Sequence, residues 1–225
     1  QDRPFGWNLP NLTIRRALRA HLEDAPGAAL RPAALERLTL REAHALARLS
    51  DGTSLRARLV VAADGRDSPT RAMAGLSARR WSYAQKALVF AVTHERPHEG
   101  VSTEIHRSGG PFTLVPLPDD AEGRPRSAVV WMEAGPKALA LAEAAKTDRA
   151  AFEAELNDRA CGGLGRLALA SPTSVWPIVS QLAPRLDGTR TALMGEAAHV
   201  VPPIGAQGLN MSIADAAALA RLAGE

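Results

Sequence analysis

The run Thr191-Ala-Leu-Met-Gly-Glu-Ala-Ala-His-Val-Val-Pro-Pro-Ile-Gly-Ala-Gln-Gly-Leu-Asn-Met-Ser-Ile-Ala-Asp215 decides how the rest of the chain is read. Ala192–Met194 is a short apolar stretch that reads as the end of a buried strand. Gly195-Glu196 then sets an acidic side chain beside a glycine. Pro202-Pro203 stiffens the next turn, and Gly205 and Gly208 loosen it. From about Leu209, the residues Ile213, Ala216, Ala217, Leu219 and Ala220 fall along one side of a helix. A strand, an acid at its carboxyl end, a glycine-rich loop and a helix start form the arrangement that holds ligands in open α/β sheets. Free N–H groups and the positive dipole end of the helix suit an anionic or electron-rich ligand. The two glycines let backbone approach a flat ligand closely.

A second joint of the same kind lies upstream. Leu59-Val-Val-Ala-Ala63 is continuously apolar, which predicts a central strand of a parallel sheet covered on both faces. It runs into Asp64-Gly-Arg-Asp-Ser-Pro-Thr-Arg71. Gly65 permits a tight turn, Asp67 or Ser68 can cap the short helix that follows, and Pro69 suits its first turn. The 130 residues from Gly65 to Gly195 leave room for one inserted domain. Within it, strand-like runs at 85–95, 101–107, 112–116 and 127–133 are separated by Gly109-Gly110-Pro111 and Pro118–Gly123, which predicts an antiparallel meander. Helices follow at about 137–145 and 148–159, the second capped by Thr147, and a strand at 173–178 returns to the first domain. Ahead of all this, Pro4, Gly6 and Pro10 break the start of the chain. Asn11 is placed to cap a helix over 12–23. Strands follow at 34–40, 44–49 and 54–63, with Asp51-Gly52 as a hairpin turn.

These residues carry a resemblance. Pro203-Ile-Gly-Ala-Gln-Gly-Leu-Asn210 after Gly195-Glu196, preceded by Asp64-Gly65 with Ser68 and Arg71, resembles the paired flavin motifs of the FAD-dependent aromatic hydroxylases, the para-hydroxybenzoate hydroxylase superfamily. The details are similar to its ubiquinone-biosynthesis branch: Tyr83-Ala-Gln85, His94-Glu-Arg-Pro-His98-Glu-Gly100, Gly110–Leu117, Val130-Trp131 and Trp176-Pro177. The resemblance covers essentially the whole chain. It implies an α/β fold (α+β overall): a partial FAD/NAD(P)-binding Rossmann-like domain from residues 1–76 and 188–225, with an inserted, mainly antiparallel β-sheet substrate-binding domain carrying helices at 77–187.

The resemblance also implies roles. Asp64 and Gly65 would lie by the cofactor pyrophosphate. Asn11 and Arg16 on the first helix would reach the FAD. Gly195 and Glu196 would meet the ribityl chain, and Pro203, Gly205 and Gln207 would line the flavin. Backbone near Gly208, Leu209 and Asn210 would donate to the flavin's pyrimidine edge, where charge accumulates on reduction. No side chain is assigned as catalytic, because the cofactor carries the oxygen chemistry. The implied reaction is hydroxylation of an aromatic ring through a flavin C4a-hydroperoxide, with NAD(P)H and O2 as co-substrates. The ring would be a polyprenylated ubiquinone precursor, and other ubiquinone-biosynthesis proteins are implied partners. The alternative is a non-catalytic binding module within such an assembly.

Two departures from the family pattern stand out. The family usually has Asp where this chain has Glu196, one methylene longer. The strand–GxGxxG–helix that opens this fold is not found: Gly162-Gly-Leu-Gly165 follows no strand-like run. The sequence is therefore read as lacking the first βαβ unit and the C-terminal tail, and it is expected to bind FAD weakly and to be inactive by itself.

Bulk properties narrow the classes further. The chain has 225 residues, 46% apolar and 23% charged, enough for a sizeable core. A net charge of +3, spread without a basic stripe, argues against nucleic acid and leaves weak attraction to an anionic membrane surface. One cysteine, Cys161, excludes a disulfide framework and favours a reducing compartment. The expected location is the cytoplasm, peripheral to the inner face of the membrane. His94, His98 and His106 lack metal spacing. His199 reads as a satisfied structural histidine, and Trp131 and Trp176 read as core.

Overall fold

The computed structural model describes residues 6–224. Pro4 and Glu225 lie outside the described residues. In chain order the elements are α1 (Asn11–Glu23), β1 (Leu35–Leu40), β2 (Ala45–Leu49), β3 (Ser54–Ala57), β4 (Val60–Ala62), α2 (Pro69–Met73), β5 (Arg79–His94), β6 (Thr103–Arg107), β7 (Gly110–Leu117), β8 (Arg126–Ala134), α3 (Gly135–Thr147), α4 (Arg149–Ala160), β9 (Leu167–Leu169), β10 (Ser174–Leu182), β11 (Asp187–Gly188), β12 (Thr191–Leu193), β13 (His199–Val200) and α5 (Gln207–Gly224). A single 3₁₀ turn, Gly195–Ala197, separates β12 from β13. The chain divides into two compact units. One joins the segment up to Ala29 to Ala84–Ile178, and the other joins Leu30–Tyr83 to the segment from Val179 onward.

In the first unit, β5, β8, β7 and β6 lie side by side in that order, all antiparallel, and β9 pairs with β5 at Val92–His94. Alternate residues face the helices, as a half-covered antiparallel sheet requires. Leu88, Phe90 and Val92 from β5 join Phe112, Leu114, Val129 and Trp131 from β7 and β8. They close on Leu141 of α3 and on Phe152 and Leu156 of α4. The aromatic rings meet edge to face, with Phe90–Phe152 centroids 5.4 Å apart and Phe112–Trp131 centroids 5.6 Å apart. The turn between β6 and β7 needs its glycine pair. Gly109 has φ +98, and a Cβ there would stand 1.9 Å from Glu133 Oε1.

Several local expectations change. Pro10, not Asn11, stands at the α1 N-cap, and its carbonyl accepts from Thr13 and Ile14. Proline arrives with its φ already set, so Asn11 becomes the first helical residue and makes no cap. Asp148 rather than Thr147 caps α4: its carboxylate accepts from Ala151 N at 3.1 Å, while the Thr147 hydroxyl turns back to Glu143 O. Trp131 is fully buried, but Trp176 is 56% exposed, because its position on β10 faces outward.

In the second unit, β1, β2 and β3 form an antiparallel meander. Asp51-Gly52 makes its second turn, with Gly52 at φ +82 and Asp51 Oδ1 accepting from Thr53 N. A separate three-stranded sheet has the order β11-β12-β4. There β4 runs parallel to β12, in the register Val60↔Thr191, Val61↔Ala192 and Ala62↔Leu193. The apolar run 59–63 is thus an edge rather than a central strand. Among the described residues only β12 pairs with β4, and Val61 remains 39% exposed. Small residues, Ala62, Ala183, Ala197 and Ala198, pack with Leu193 and Leu76 to form the core. Two-residue β13 pairs with β10 at Gln181 and Leu182.

The helix–sheet core of the first unit sets a contrast that urea unfolding can read. Phe152→Ala should cost about 3–5 kcal/mol, the range for deleting a fully buried aromatic ring. Trp176→Ala, at a half-exposed position, should stay within about 0.5 kcal/mol of the wild type.

Candidate functional site

The second unit holds the site. Because β4 and β12 are parallel neighbours in register, their carboxyl ends open on the same edge. The turn after β4 begins at Asp64, the turn after β12 begins at Gly195, and Met194 N bonds Ala62 O at 3.0 Å across the joint. Two motifs 130 residues apart in sequence therefore stand side by side.

Asp64 is used by its own turn. One carboxylate oxygen accepts the Ser68 hydroxyl, and the other accepts Thr70 N at 2.9 Å. Ser68 then caps α2 by accepting Arg71 N at 2.9 Å, with Pro69 in the first turn. Burial is the largest influence on Asp64 and pushes its carboxyl up. The hydrogen bonds from Ser68 and Thr70 together outweigh it and hold the group below the ordinary carboxylate range.

Arginines stitch the two turns together. Arg71 Nη1 donates to Ala197 O at 2.8 Å, and its Nη2 donates to Arg66 O at 3.1 Å. Arg66 forms a two-pronged ion pair with Glu196, Nε to Oε2 at 3.2 Å and Nη2 to Oε1 at 3.4 Å. Gln181, buried on β10, donates to Arg66 O at 2.9 Å and to Glu196 O at 3.3 Å, and accepts from Arg80 Nε at 3.0 Å. Arg80 Nη2 also reaches Asp67 Oδ1 at 2.6 Å.

The third element is α5. Gly195 has φ +56, and a Cβ there would lie 3.2 Å from Ser212 Oγ, so glycine lets the turn sit against the helix. Gly195 N donates to Asp215 Oδ2 at 2.9 Å, and His199 Nε2 lies 2.6 Å from the same oxygen. Between the turn and the helix lies an open cleft of about 290 Å³, lined by Glu196, His199, Val200, Val201, Gly208, Leu209 and Ser212. Its lining is mixed: Val200, Val201 and Leu209 are apolar, the Glu196 carboxylate and the His199 ring are polar, and the first turn of α5 forms the other side. The N–H groups of a first helical turn have no intrahelical partner, so this end offers hydrogen-bond donors and positive potential.

The expected site residues distribute unevenly. Glu196, Gly208 and Leu209 line the cleft, and Gly195 opens the 3₁₀ turn that carries Glu196. Asp64 and Gly65 occupy the adjoining strand end. Pro203 and Gly205 lie on the exposed loop that leads into α5, and Gln207, the first residue of α5, donates its Nε2 to Gly205 O at 3.0 Å. The Asn210 amide turns back to Ala206 O at 3.1 Å. Asn11 and Arg16 lie on α1 in the other unit, both exposed. Sequence reasoning missed Arg66, Gln181 and Asp215, and it left His199 as merely structural. Only Asp215 left a signal: a lone acid on the helix two turns past the glycine loop. Gln181 follows Ser180 in a largely apolar strand, and no motif marks it.

At about 290 Å³ the cleft lies at the small end of ligand-pocket volumes. Paired strand–turn–helix joints meeting at a helix start define a cofactor-binding α/β protein. The chain belongs to the FAD binding domain family, whose model matches residues 7–223. It is similar to the ubiquinone hydroxylase UbiL of Rhodospirillum rubrum, 38% identical over 221 residues, covering 96% of this chain and 49% of the relative. It is 27% identical to the 3-demethoxyubiquinol 3-hydroxylase of Escherichia coli, covering 96% of this chain and 53% of that one. Among solved structures, a substituted variant of Pseudomonas aeruginosa PqsL superposes with a TM-score of 0.76 at 25% identity, covering 94% of this chain and 58% of that one. The chain spans about half the length of the curated relatives it matches. Among the described residues, no helix is long and apolar enough to cross a membrane.

Two variants test this construction. Gln181→Leu takes a donor from the Arg66 and Glu196 carbonyls and an acceptor from Arg80, although Arg66 O keeps Arg71 and Arg80 and Arg80 keeps Asp67, and should cost about 1–3 kcal/mol in urea unfolding. Asp64 has a depressed folded-state value, so its stabilising contribution is present above the unfolded carboxylate value, about pH 4, and fades as pH falls through the folded one. Asp64→Asn should therefore unfold with a shallower dependence on pH in that acid window, measured by circular dichroism.

Proposed function

We propose that this chain is the flavin-ring-holding and substrate-holding part of an FAD-dependent monooxygenase that hydroxylates an aromatic ring, a polyprenylated ubiquinone precursor. One observation carries the reading: the Asp64 and Gly195 turns lie side by side on parallel strands, and a cleft separates the second of them from the α5 N-terminus. The names of the similar hydroxylases support the substrate class. On this reading residues 30–83 and 179–225 bind cofactor, and the antiparallel unit at 84–178 faces substrate.

When bound, the flavin supplies the redox and oxygen chemistry, with NAD(P)H as reductant and O2 as oxidant. The chain's residues orient it. N–H groups at Gly208, Leu209 and Asn210 donate to the ring's electron-rich edge. Gly195 and Gly205 keep side chains away from its face, and Pro203 and Gln207 shape the loop beside it. Asp64 and Gly65 sit at the adjoining strand end, toward the pyrophosphate. Glu196 accepts from a ribityl hydroxyl. A carboxylate has about four lone-pair sites, and Arg66 engages two, so the ion pair leaves capacity for that bond. The enzyme works in the cytoplasm, against the membrane face that holds its prenylated substrate.

Fluorescence titration of the chain with riboflavin and with FAD tests this. Because the cleft holds only the ring end, the purified protein should be colourless, show no hydroxylation by itself, and bind both flavins weakly with near-equal affinity. Much tighter binding of FAD than riboflavin would overturn the partial-site reading. No saturable quenching by either would overturn the flavin site itself.

A further inference from the structure

Asp215 lies outside the lining of the cleft, yet one of its oxygens fixes two parts of it. Oδ2 accepts Gly195 N at 2.9 Å and stands 2.6 Å from His199 Nε2. Asp215 belongs to α5, Gly195 opens the 3₁₀ turn, and His199 belongs to β13. One carboxylate therefore couples the three elements that enclose the cleft. His199 is nearly buried, its side chain 12% exposed, and it forms part of the wall. A carboxylate oxygen only accepts, so Nε2 carries the ring proton. In the neutral ring Nδ1 is then an acceptor, and among the described residues no hydrogen bond engages it.

We propose that Asp215 is a positioning residue that holds His199 as the hydrogen-bond acceptor of the cleft, so that the ligand bound there must present an O–H or N–H to the His199 ring. The opposite wall, the first turn of α5, offers donors. The cleft thus selects a ligand carrying both acceptor and donor groups, as the imide edge or ribityl hydroxyls of a flavin do. This choice of ligand rests on the flavin reading above, whereas the positioning claim rests on geometry alone. The other charged group facing the ring is Glu196, which Arg66 engages.

The test is long-range 1H–15N spectroscopy of the labelled chain at pH 8, joined to riboflavin titration. The wild-type His199 ring should be protonated at Nε2 and bare at Nδ1. Asp215→Asn keeps the shape but can donate to the ring, and an amide in this role holds the wrong tautomer. The variant should shift the His199 proton toward Nδ1 and weaken riboflavin binding roughly tenfold, the loss of about one hydrogen bond, with the far-ultraviolet circular dichroism unchanged. A wild-type ring protonated at Nδ1 overturns the proposal without recourse to a variant. An unchanged tautomer in a folded Asp215→Asn protein overturns it too, as does a flipped tautomer with unchanged riboflavin affinity. If neither protein binds riboflavin, the flavin reading and the ligand assignment fail together, while the tautomers still decide whether Asp215 positions the ring.

Discussion

The parallel pairing of β4 with β12 is the constraint from which the site follows. Parallel neighbours cannot be joined by a tight turn, so the chain must leave the sheet and return by a crossover. Here the departure takes 128 residues, from Ala62 to Thr191, and carries the antiparallel unit with it. In-register pairing then brings two glycine turns to one edge. A slip of one residue would move Leu193 out of the small core with Ala62, and would set Asp64 and Gly195 out of step. The alanines of that core leave little bulk to absorb such a shift.

With the turns adjacent, the charges near them resolve into local partnerships. Asp64 serves its own turn, Glu196 meets Arg66, and Asp215 holds Gly195 and His199. The Arg66 carbonyl receives donors from Arg71, Arg80 and Gln181, so a single peptide unit ties α2, β5 and β10 to the joint. Acids so engaged leave the cleft's character to its apolar residues and to the helix start.

The two joints were legible because their chemistry is local. Glycine after a strand, Ser-Pro at a helix start and a glycine loop before α5 each state their geometry in a few adjacent residues. The meander was legible for the same reason, through its turns. What escaped depends on long-range neighbours. No pattern in Leu59–Ala63 distinguishes an edge strand from a central one, since that depends on whether a second strand arrives. Trp176 lies in a run that reads as strand, but which face is covered depends on residues far away in sequence. Of the two cap exchanges, Asp148 for Thr147 follows the cap ranking, whereas Pro10 for Asn11 runs against it and moves the helix start by one residue. Gln181 and Arg66 gain their roles only from the convergence that β4 and β12 impose.

Glu196 is best understood as one half of a matched pair. Read beside Gly195 alone, its extra methylene over aspartate is a departure that displaces a carboxylate needed by the ligand. Beside Arg66 the extra length has a use: it carries both carboxylate oxygens to the guanidinium, at 3.2 and 3.4 Å, from a turn on a neighbouring strand. The pair is partly exposed, with side chains 33% and 50% accessible, so solvent screens it and its energetic weight is small. Its effect is directional instead. It aims the carboxylate along the joint between the two turns, beside the cleft.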